Sequence, residues 1–389
     1  MHDVIIVGSG PMGSYAAYRL AGMGHDVLVL ERKPGIRGKV CCTGIIGQEC
    51  VRAFALRDVI LREVNSARLF SPSGNQIRLW REEPQASVVD RTALDITLSK
   101  MAQGKGAQYL LDATVSRIVI EPDRVRVTES RHGSVSARAV IIASGFGPRL
   151  EEPLGLGRID DFVSGVQVEV ETAGLDEVEV YLGNQVAPGF FAWLVPTTKQ
   201  QARVGLLSRH RPALFLRKLL ASLAAQGKIA HAEVEISHGV IPLKPLPRTS
   251  GERLLVVGDA AGQVKPTSGG GIYYGLLCTD IAVETLHPAL DDDDLSARRL
   301  ASYEQRWRRK LARELKIGYW ARKLFERLSD KQIERIFDII TTQGIADALL
   351  KADDLSFDWH SQAIFRLLGH QLIAKSIDLM KIPFRTGLD

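Results

Sequence analysis

A glycine turn framed by two short apolar runs restricts this 389-residue chain more than any other stretch. Residues 4–7 are apolar and lead at once into Gly8-Ser9-Gly10-Pro11-Met12-Gly13. A helical pattern then carries Tyr15, Ala16, Leu20 and Met23, and a second apolar run, 27–30, ends on Glu31. Strand, glycine turn, helix, strand and acid follow in the order a dinucleotide site needs. Gly8 permits the tight turn, Gly10 lets the backbone approach a pyrophosphate, and Gly13 lets the helix pack on the strand. The N–H groups opening the helix then face the phosphates, where the helix dipole favours negative charge. Glu31, eighteen residues past Gly13, is placed to accept from ribose hydroxyls. A glycine triplet alone is common; here both strands and the acid agree with it.

The length suggests two or three domains. A hydrophobic fraction of 45% and a charged fraction of 24% are those of a soluble globular protein. No run of 18 apolar residues occurs, so no transmembrane helix is expected. The chain enters its first strand without room for a signal peptide, which makes cytoplasm the expected compartment. Cys41, Cys42, Cys50 and Cys278 do not form a disulfide framework. Nor do they suggest zinc, because Cys41 and Cys42 are adjacent and no paired histidines follow; no metal is expected. The net charge is +5, unevenly spread: 298–327 holds eleven Lys or Arg against three Glu. A solvated basic helix face is one reading, and contact with an anionic membrane surface or a phosphorylated substrate is the other. Nucleic acid is not expected, since no aromatic-studded basic groove is visible.

After Glu31 a loop leads to Lys39-Val40-Cys41-Cys42-Thr43-Gly44 and a helix through Cys50 to Phe54. Residues 67–80 read as two strands about the turn Ser73-Gly74-Asn75, outside the nucleotide-binding pattern. A helix begins in 88–98, and 115–127 with 135–139 read as a small antiparallel sheet turning at Glu121-Pro122-Asp123. Residues 139–143 form a buried strand ending in Ala143-Ser144-Gly145, where small residues let a ligand approach the backbone. Alternation of strand type fills 162–240, interrupted by a helical pattern over 211–226, and marks a substrate domain. The run 254–257 returns to the nucleotide fold, and from Ser296 the pattern is helical. The expected class is α/β, a multidomain α+β chain. Residues 1–63, 86–157 and 251–297 form the dinucleotide domain, 64–85 and 158–250 a β-sheet substrate domain, and 298–389 a helical C-terminal region.

The second strong signal is Gly258-Asp259-Ala260-Ala261-Gly262, then Pro266 and Gly269-Gly270-Gly271. Asp259 directly follows a buried strand, where its carboxylate can accept from a polyol chain; a simple helix cap is the alternative. The glycine run opens a helix over 272–285 whose N–H groups can hold a ring carbonyl and stabilise a reduced, anionic ring. Together Gly8, Gly10, Gly13, Glu31, Arg91 with Asp95, Ala143-Ser144-Gly145 and Gly258-Asp259 resemble the FAD contacts of the p-hydroxybenzoate hydroxylase-like flavoproteins. The resemblance runs in order from residue 4 to about 285. It implies a glutathione-reductase-like Rossmann domain binding FAD, with Asp259 at the ribityl chain and Arg91 over the cofactor. Pro11, Met12, Arg32, Cys41, Cys42 and Gly269 to Gly271 join the expected cofactor contacts. A salt bridge with Asp95 on the surface is the other reading of Arg91.

Two further stretches are similar to the geranylgeranyl reductases. Lys39-Val-Cys41-Cys42-Thr-Gly44 resembles their Lys-Pro-Cys-Gly-Gly element, and Pro188-Gly-Phe-Phe191-Ala-Trp193-Leu-Val195-Pro196 resembles their Pro-x-x-Tyr-x-Trp-x-Phe-Pro signature. Phe191 stands where Tyr is usual, Val195 where Phe is usual and Cys42 where Gly is usual, which leaves the substrate's polar contacts open. The resemblance implies reduction of isolated C=C bonds in an isoprenoid or prenyl-lipid chain by hydride from reduced FAD. An external donor, NADPH or a ferredoxin type, supplies the electrons. An aromatic patch of Phe190, Phe191 and Trp193, with Pro196, suits a dry apolar channel, though such stripes also build plain cores. Cys41 is the candidate catalytic residue. A protonated thiol in apolar surroundings can donate a proton, a nearby Lys39 can instead favour a redox role, and a buried cysteine can be packing alone. Apolar positions Ile333, Ile336, Phe337, Ile340, Phe365, Leu367, Leu368, Leu372, Ile373, Ile377 and Met380 indicate helices packed on the body, with peripheral membrane contact as the second reading. The rivals are a monooxygenase or halogenase of the same fold, and a non-catalytic prenyl-lipid carrier.

Overall fold

The computed structural model describes residues 1–36, 38, 40–147, 149–342, 344, 345, 348, 356–370 and 373. Lys39, and Leu372, Ile377 and Met380 of the C-terminal pattern, lie outside the described residues. The chain divides into two compact units. One comprises Met1–Leu61, Val89–Val163 and Gly239–Tyr319, and the other Arg62–Val88, Ser164–His238 and Trp320–Asp389.

The first unit grows from strand β1 (His2–Val7), helix α1 (Pro11–Gly22) and strand β2 (Val27–Leu30). β1 lies between β2 and the strand Gly133–Ile142 and is parallel to both, with Val4 opposite Val27 and Val7 opposite Ile142. Leu254–Val256 extends the sheet beyond Gly133–Ile142, and Gln108–Leu110 extends it beyond β2. Val4, Ile5, Ile6, Val27, Val29, Ile141 and Ile142 are all buried. Burial on both faces is why these strands read as unbroken apolar runs. The two strands expected at 135–139 and 139–143 are one. Gly133–Ile142 pairs antiparallel with Val125–Glu129 through its first half and parallel with β1 through its second.

Six more helices carry the rest of the regular structure discussed below. They are α2 (Gln48–Ala53), α3 (Arg91–Gly104), α4 (Pro212–Ala225), α5 (Ile272–Asp291), α6 (Ala297–Phe325) and α7 (Asp330–Thr342). Val88 and Val89, expected at the start of α3, belong instead to the strand Ala86–Val89. The helix starts after Asp90, whose side chain accepts from the Ala93 N–H at 2.9 Å and ends the strand by capping α3. α5 runs past the expected residue 285 because Leu286, Ala289 and Leu290 continue its buried face.

In the second unit the strands Phe162–Glu171, Gln201–Ser208, Phe191–Pro196, Val178–Leu182, Ser66–Phe70 and Gln76–Trp80 follow one another across a sheet. The hairpin expected at 67–80 is its far edge, with Leu69 opposite Ile77. Helix α4 covers one face, burying Leu216, Leu219, Leu220 and Leu223 against Val166, Val168, Leu194 and Leu206. The C-terminal apolar positions do pack: Ile333, Phe337 and Ile373 join Ile77 and Leu328, with Ile336, Ile340, Leu367 and Leu368 against them. Phe365 differs and is 52% exposed.

Bare backbone sets how α1 sits on its neighbours. A Cβ on Gly13 would stand 1.9 Å from the Gly8 carbonyl oxygen, whereas one on Gly275 of α5 would meet the Met12 Cε at 2.0 Å. The first obstacle is rigid main chain and the second is the tip of a flexible side chain. Gly13→Ala is therefore expected to cost about 2–4 kcal/mol in chemical denaturation. Gly275→Ala is expected to cost about 1 kcal/mol or less, since helix propensity offsets part of the Met12 rearrangement. Equal losses for the two variants would show that the Gly8–Gly13 approach is not the tighter constraint.

Candidate active site

The turn after β1 is held from three sides. Gly8 N donates to Leu30 O at 2.8 Å, Ala143 N donates to Val7 O at 2.9 Å, and Ser14 Oγ donates to Ser9 O at 2.9 Å. Gly8 has φ +104, and a Cβ there would lie 2.5 Å from the Ala143 carbonyl oxygen, so only glycine fits. Gly10 caps α1 without a side-chain cap, Pro11 occupies the first turn, and a Cβ at Gly10 would meet nothing within 4 Å. The first helical hydrogen bond runs from Ser14 N to Gly10 O at 2.9 Å, leaving the Met12 and Gly13 N–H groups without an intrahelical acceptor. The result is an open cradle at the positive end of a helix, the arrangement that receives a phosphate.

Glu31 is buried beside this cradle. Its Oε2 accepts from Ser9 N and Ser9 Oγ, both at 2.8 Å, and its Oε1 accepts from Lys33 N at 3.0 Å. A carboxylate oxygen has a second lone pair, so Glu31 is fixed in place and still able to accept from a ribose. Arg32 is exposed. Ser144 and Gly145 follow the end of the strand Gly133–Ile142, with Gly145 at φ +71.

Arg91 opens α3 and is buried, not on the surface. It does pair with Asp95, its Nη2 lying 3.2 Å from Oδ1, while its Nε and Nη1 are buried without a hydrogen-bond partner. Burial opposes its charge, but Cys42, Asp95 and Asp259 around it raise its pKa on balance. The Asp95 carboxyl is pushed up by burial, against the pull of Arg91. Two buried guanidinium donors without acceptors are costly unless a ligand supplies acceptors.

Asp259 sits in a short 3-10 turn, Gly258–Ala261, whose cap is Val257; Asp259 is not the cap. Its pKa is raised by burial, against Arg91. A Cβ at Gly271 would stand 2.7 Å from Asp259 Oδ1, so the carboxylate lies against the start of α5, where Gly271 is the N-cap. This segment is positioned by residues that sequence reasoning missed. Gly258 N donates to Gln263 Oε1 at 2.8 Å, Gln263 Nε2 donates to Tyr303 Oη at 2.7 Å, and Tyr303 Oη donates to Val256 O at 2.7 Å. One helical turn along α6, Trp307 Nε1 donates to Thr249 Oγ1 at 2.8 Å. Lys265, also missed, is buried beside the glycine run: a Cβ at Gly270 would come 2.9 Å from its Cε. A lysine inside a Gly/Pro motif was the available signal.

Cys41 is half-buried next to the bare backbone of Gly239, where a Cβ would stand 3.4 Å from its Sγ. Burial, and then Cys42, push the Cys41 thiol up to about 11. The first unit thus gathers the 8–13 turn, Glu31, Ala143 to Gly145, Arg91, Cys41, Cys42, Asp259 and Gly269 to Gly271. These groups fit FAD: a glycine cradle for the pyrophosphate, a fixed acid for the ribose and orphaned buried donors on Arg91.

Phe191, Trp193 and Pro196 belong to the second unit. Phe191 and Trp193 face one way along their strand, ring centroids 5.8 Å apart, and Pro196 is buried at its end. Trp193 pairs across the sheet with Gly205, whose missing side chain makes room for the indole; a Cβ there would stand 2.4 Å from Cζ2. The Trp193 Nε1 is buried without a hydrogen-bond partner. Phe190 does not join this patch. It is fully buried, with the Arg322 guanidinium 4.2 Å from its ring centroid, because it precedes the strand and turns inward.

Known proteins resemble this chain over most of its length. The family model described as lycopene cyclase protein matches residues 3–350. A digeranylgeranylglycerophospholipid reductase of Methanocaldococcus jannaschii is 30% identical over 357 residues, 87% of this chain and 90% of that protein. Digeranylgeranylglycerophospholipid reductase 2 of Methanopyrus kandleri is 31% identical over 374 residues, 91% of this chain and 93% of that protein. Among solved structures, a geranylgeranyl bacteriochlorophyll reductase-like protein of Thermoplasma acidophilum superposes with TM-score 0.83 at 23% identity, covering 97% of this chain and 99% of that one. The halogenase PltM L111Y mutant in complex with FAD follows at TM-score 0.68 and 16% identity, over 97% and 85% of the two chains, and shares the fold. The chain belongs to the family of the lycopene cyclase protein model and, within its closer relatives, to the geranylgeranyl reductases, FAD-dependent flavoproteins that act on isoprenoid chains.

Proposed function

We propose that this chain reduces isolated C=C bonds in the geranylgeranyl chains of a glycerophospholipid. The observation that carries the reading is the glycine turn at 8–13 together with a Cys41 thiol half-buried against Gly239, where burial pushes its pKa up. The names of the curated relatives support the lipid class. FAD, when reduced by an external NADPH or ferredoxin-type donor, supplies the hydride. The chain's own residues do the rest. Glu31 and the Met12 and Gly13 N–H groups hold the adenosine and phosphate end, Arg91 and Asp259 hold the cofactor farther along, and Cys41 Sγ keeps a proton for the second alkene carbon. An unactivated alkene stabilises no carbanion, so a proton source is required, and it has to be an acid that stays protonated at neutral pH. Phe191 and Trp193 offer apolar contact to an isoprenoid chain.

Nothing among the described residues is a helix long and apolar enough to cross a membrane. Exposed arginines and lysines along α6, among them Arg306, Arg309 and Lys310, support contact with anionic headgroups at a membrane surface.

The test is anaerobic: the flavoprotein is reduced with dithionite and mixed with a geranylgeranylated phospholipid. Flavin reoxidation with a product heavier by two mass units per reduced bond is expected. Reduced flavin that reacts only with oxygen would place the protein with the monooxygenases and halogenases, and a preparation without flavin would place it with prenyl-lipid carriers. Cys41→Ala is expected to slow alkene reduction by roughly 10²–10⁴-fold while flavin reduction by dithionite is unchanged. A thiol near 11 is the acid form throughout the neutral range, so the rate should be flat with rising pH and fall only as pH approaches about 11. A fall beginning near pH 8 would mean that another group supplies the proton.

A further inference from the structure

Away from the cofactor cradle, two helices of the first unit end at one cluster. α1 finishes at Gly22, and Gly24, at φ +94, turns the chain so that His25 N bonds back to Leu20 O at 3.2 Å. α5 finishes at Asp291, with His287 and Asp291 one turn apart on the same face. The two histidines meet there: His25 Nε2 and His287 Nδ1 are 2.8 Å apart, and the rings stand edge to face at 5.1 Å. Asp291 Oδ2 lies 3.5 Å from His287 Nδ1, and one ligand atom from each of the three residues falls within 4.8 Å of the others.

We propose that His25, His287 and Asp291 form a three-ligand site for a divalent transition-metal ion of the zinc class. Metal–ligand distances of about 2.0–2.1 Å in a tetrahedron place neighbouring ligand atoms roughly 3.3 Å apart. The His287–Asp291 spacing already matches, and the histidine nitrogens need to part by about half an ångström. All three side chains are partly or fully solvent-accessible, so small rotamer changes suffice. The donor set, two imidazoles and a carboxylate, suits zinc and its neighbours in the first transition row, whereas magnesium and calcium demand an oxygen shell. Both helix C-termini direct partial negative charge at the same spot, which favours a cation there. The neighbouring Arg138 opposes this only weakly, because it is paired with Asp3 and Asp293. An ion at this point ties the turn between α1 and β2 to the end of α5, and so braces the two helices whose N-termini are capped by Gly10 and Gly271.

The untagged holoenzyme, stripped with a chelator, is titrated with Co²⁺ and followed by visible absorption beyond the flavin bands. One ion per chain is expected, with ligand-field absorption of tetrahedral strength and no thiolate charge-transfer band, displaced by Zn²⁺ but not by a hundredfold excess of Mg²⁺ or Ca²⁺. Zn²⁺ should also raise the thermal midpoint by several degrees. His25→Gln and His287→Gln, which keep side-chain bulk, should each weaken binding at least tenfold. Asp291→Asn is the mildest variant structurally and should weaken it less. His132→Gln, at an exposed turn, should change nothing. No uptake, uptake indifferent to His25 and His287, or a thiolate band pointing to the cysteines would overturn the proposal.

Discussion

The contact between the Gly8 carbonyl and the Gly13 α-carbon is where the first unit takes its shape. No side chain separates the exit of β1 from the first turn of α1, so the helix axis is set by main-chain van der Waals contact alone. That fixes where Met12 points. Its side chain reaches Gly258 and Gly275, where Cβ atoms would stand 3.0 and 2.0 Å from it, so Met12 links α1 to both α5 and the Asp259 turn. The 8–13 turn and the Asp259 carboxylate are thereby held to a single frame. Close packing transmits such constraints because interiors have few voids to absorb a shift.

Polar groups complete what packing begins. Tyr303 and Gln263 spend their hydrogen bonds on Val256 O and Gly258 N, so the backbone that presents Asp259 is satisfied by protein and need not be satisfied by ligand. Arg91 is treated in the opposite way. It too is buried, yet two of its nitrogens have no acceptor. A network with every partner supplied is rigid, and one left partly unsatisfied at a single cationic residue marks where a polar or anionic ligand recovers the desolvation penalty. The contrast between these neighbouring networks supports the proposed cofactor site independently of the glycine motif.

Much of this was legible in the residues, and the limits have physical causes. The β1–α1–β2 unit, the hairpin about Ser73-Gly74-Asn75 and helix α4 were readable because their signals are local: apolar runs, glycine turns and helical periodicity. Gly133–Ile142 reads as two strands because its halves take different partner strands within one sheet, and no periodicity within a strand reports which partner each half takes. Asp90 was absorbed into an apolar stretch although it is the cap that separates strand from helix. Phe190 was placed with Phe191 and Trp193 by adjacency, but one residue of offset is enough to send a side chain to the other side. Tyr303 and Trp307 act over forty residues or more in sequence, and nothing local distinguishes them from other buried polar side chains on an amphipathic helix.

The two adjacent cysteines illustrate how burial divides roles between neighbours. Cys41 rests on Gly239 and is pushed toward the neutral thiol, first by desolvation and then by Cys42. Cys42 instead stands among the groups that sustain the Arg91 charge. A redox pair would need a thiolate as nucleophile, and raising the thiol pKa suppresses that form. The same shift suits the proposed acid, which must keep its proton until it is delivered to one alkene carbon as hydride adds to the other. A weak acid of this kind is a slow donor to water-like bases but a suitable one to a developing carbanion, whose basicity far exceeds that of a thiolate. In the role proposed for Cys41 the mismatch gives selectivity: the proton stays on Sγ except when the strongest base in the site appears next to it.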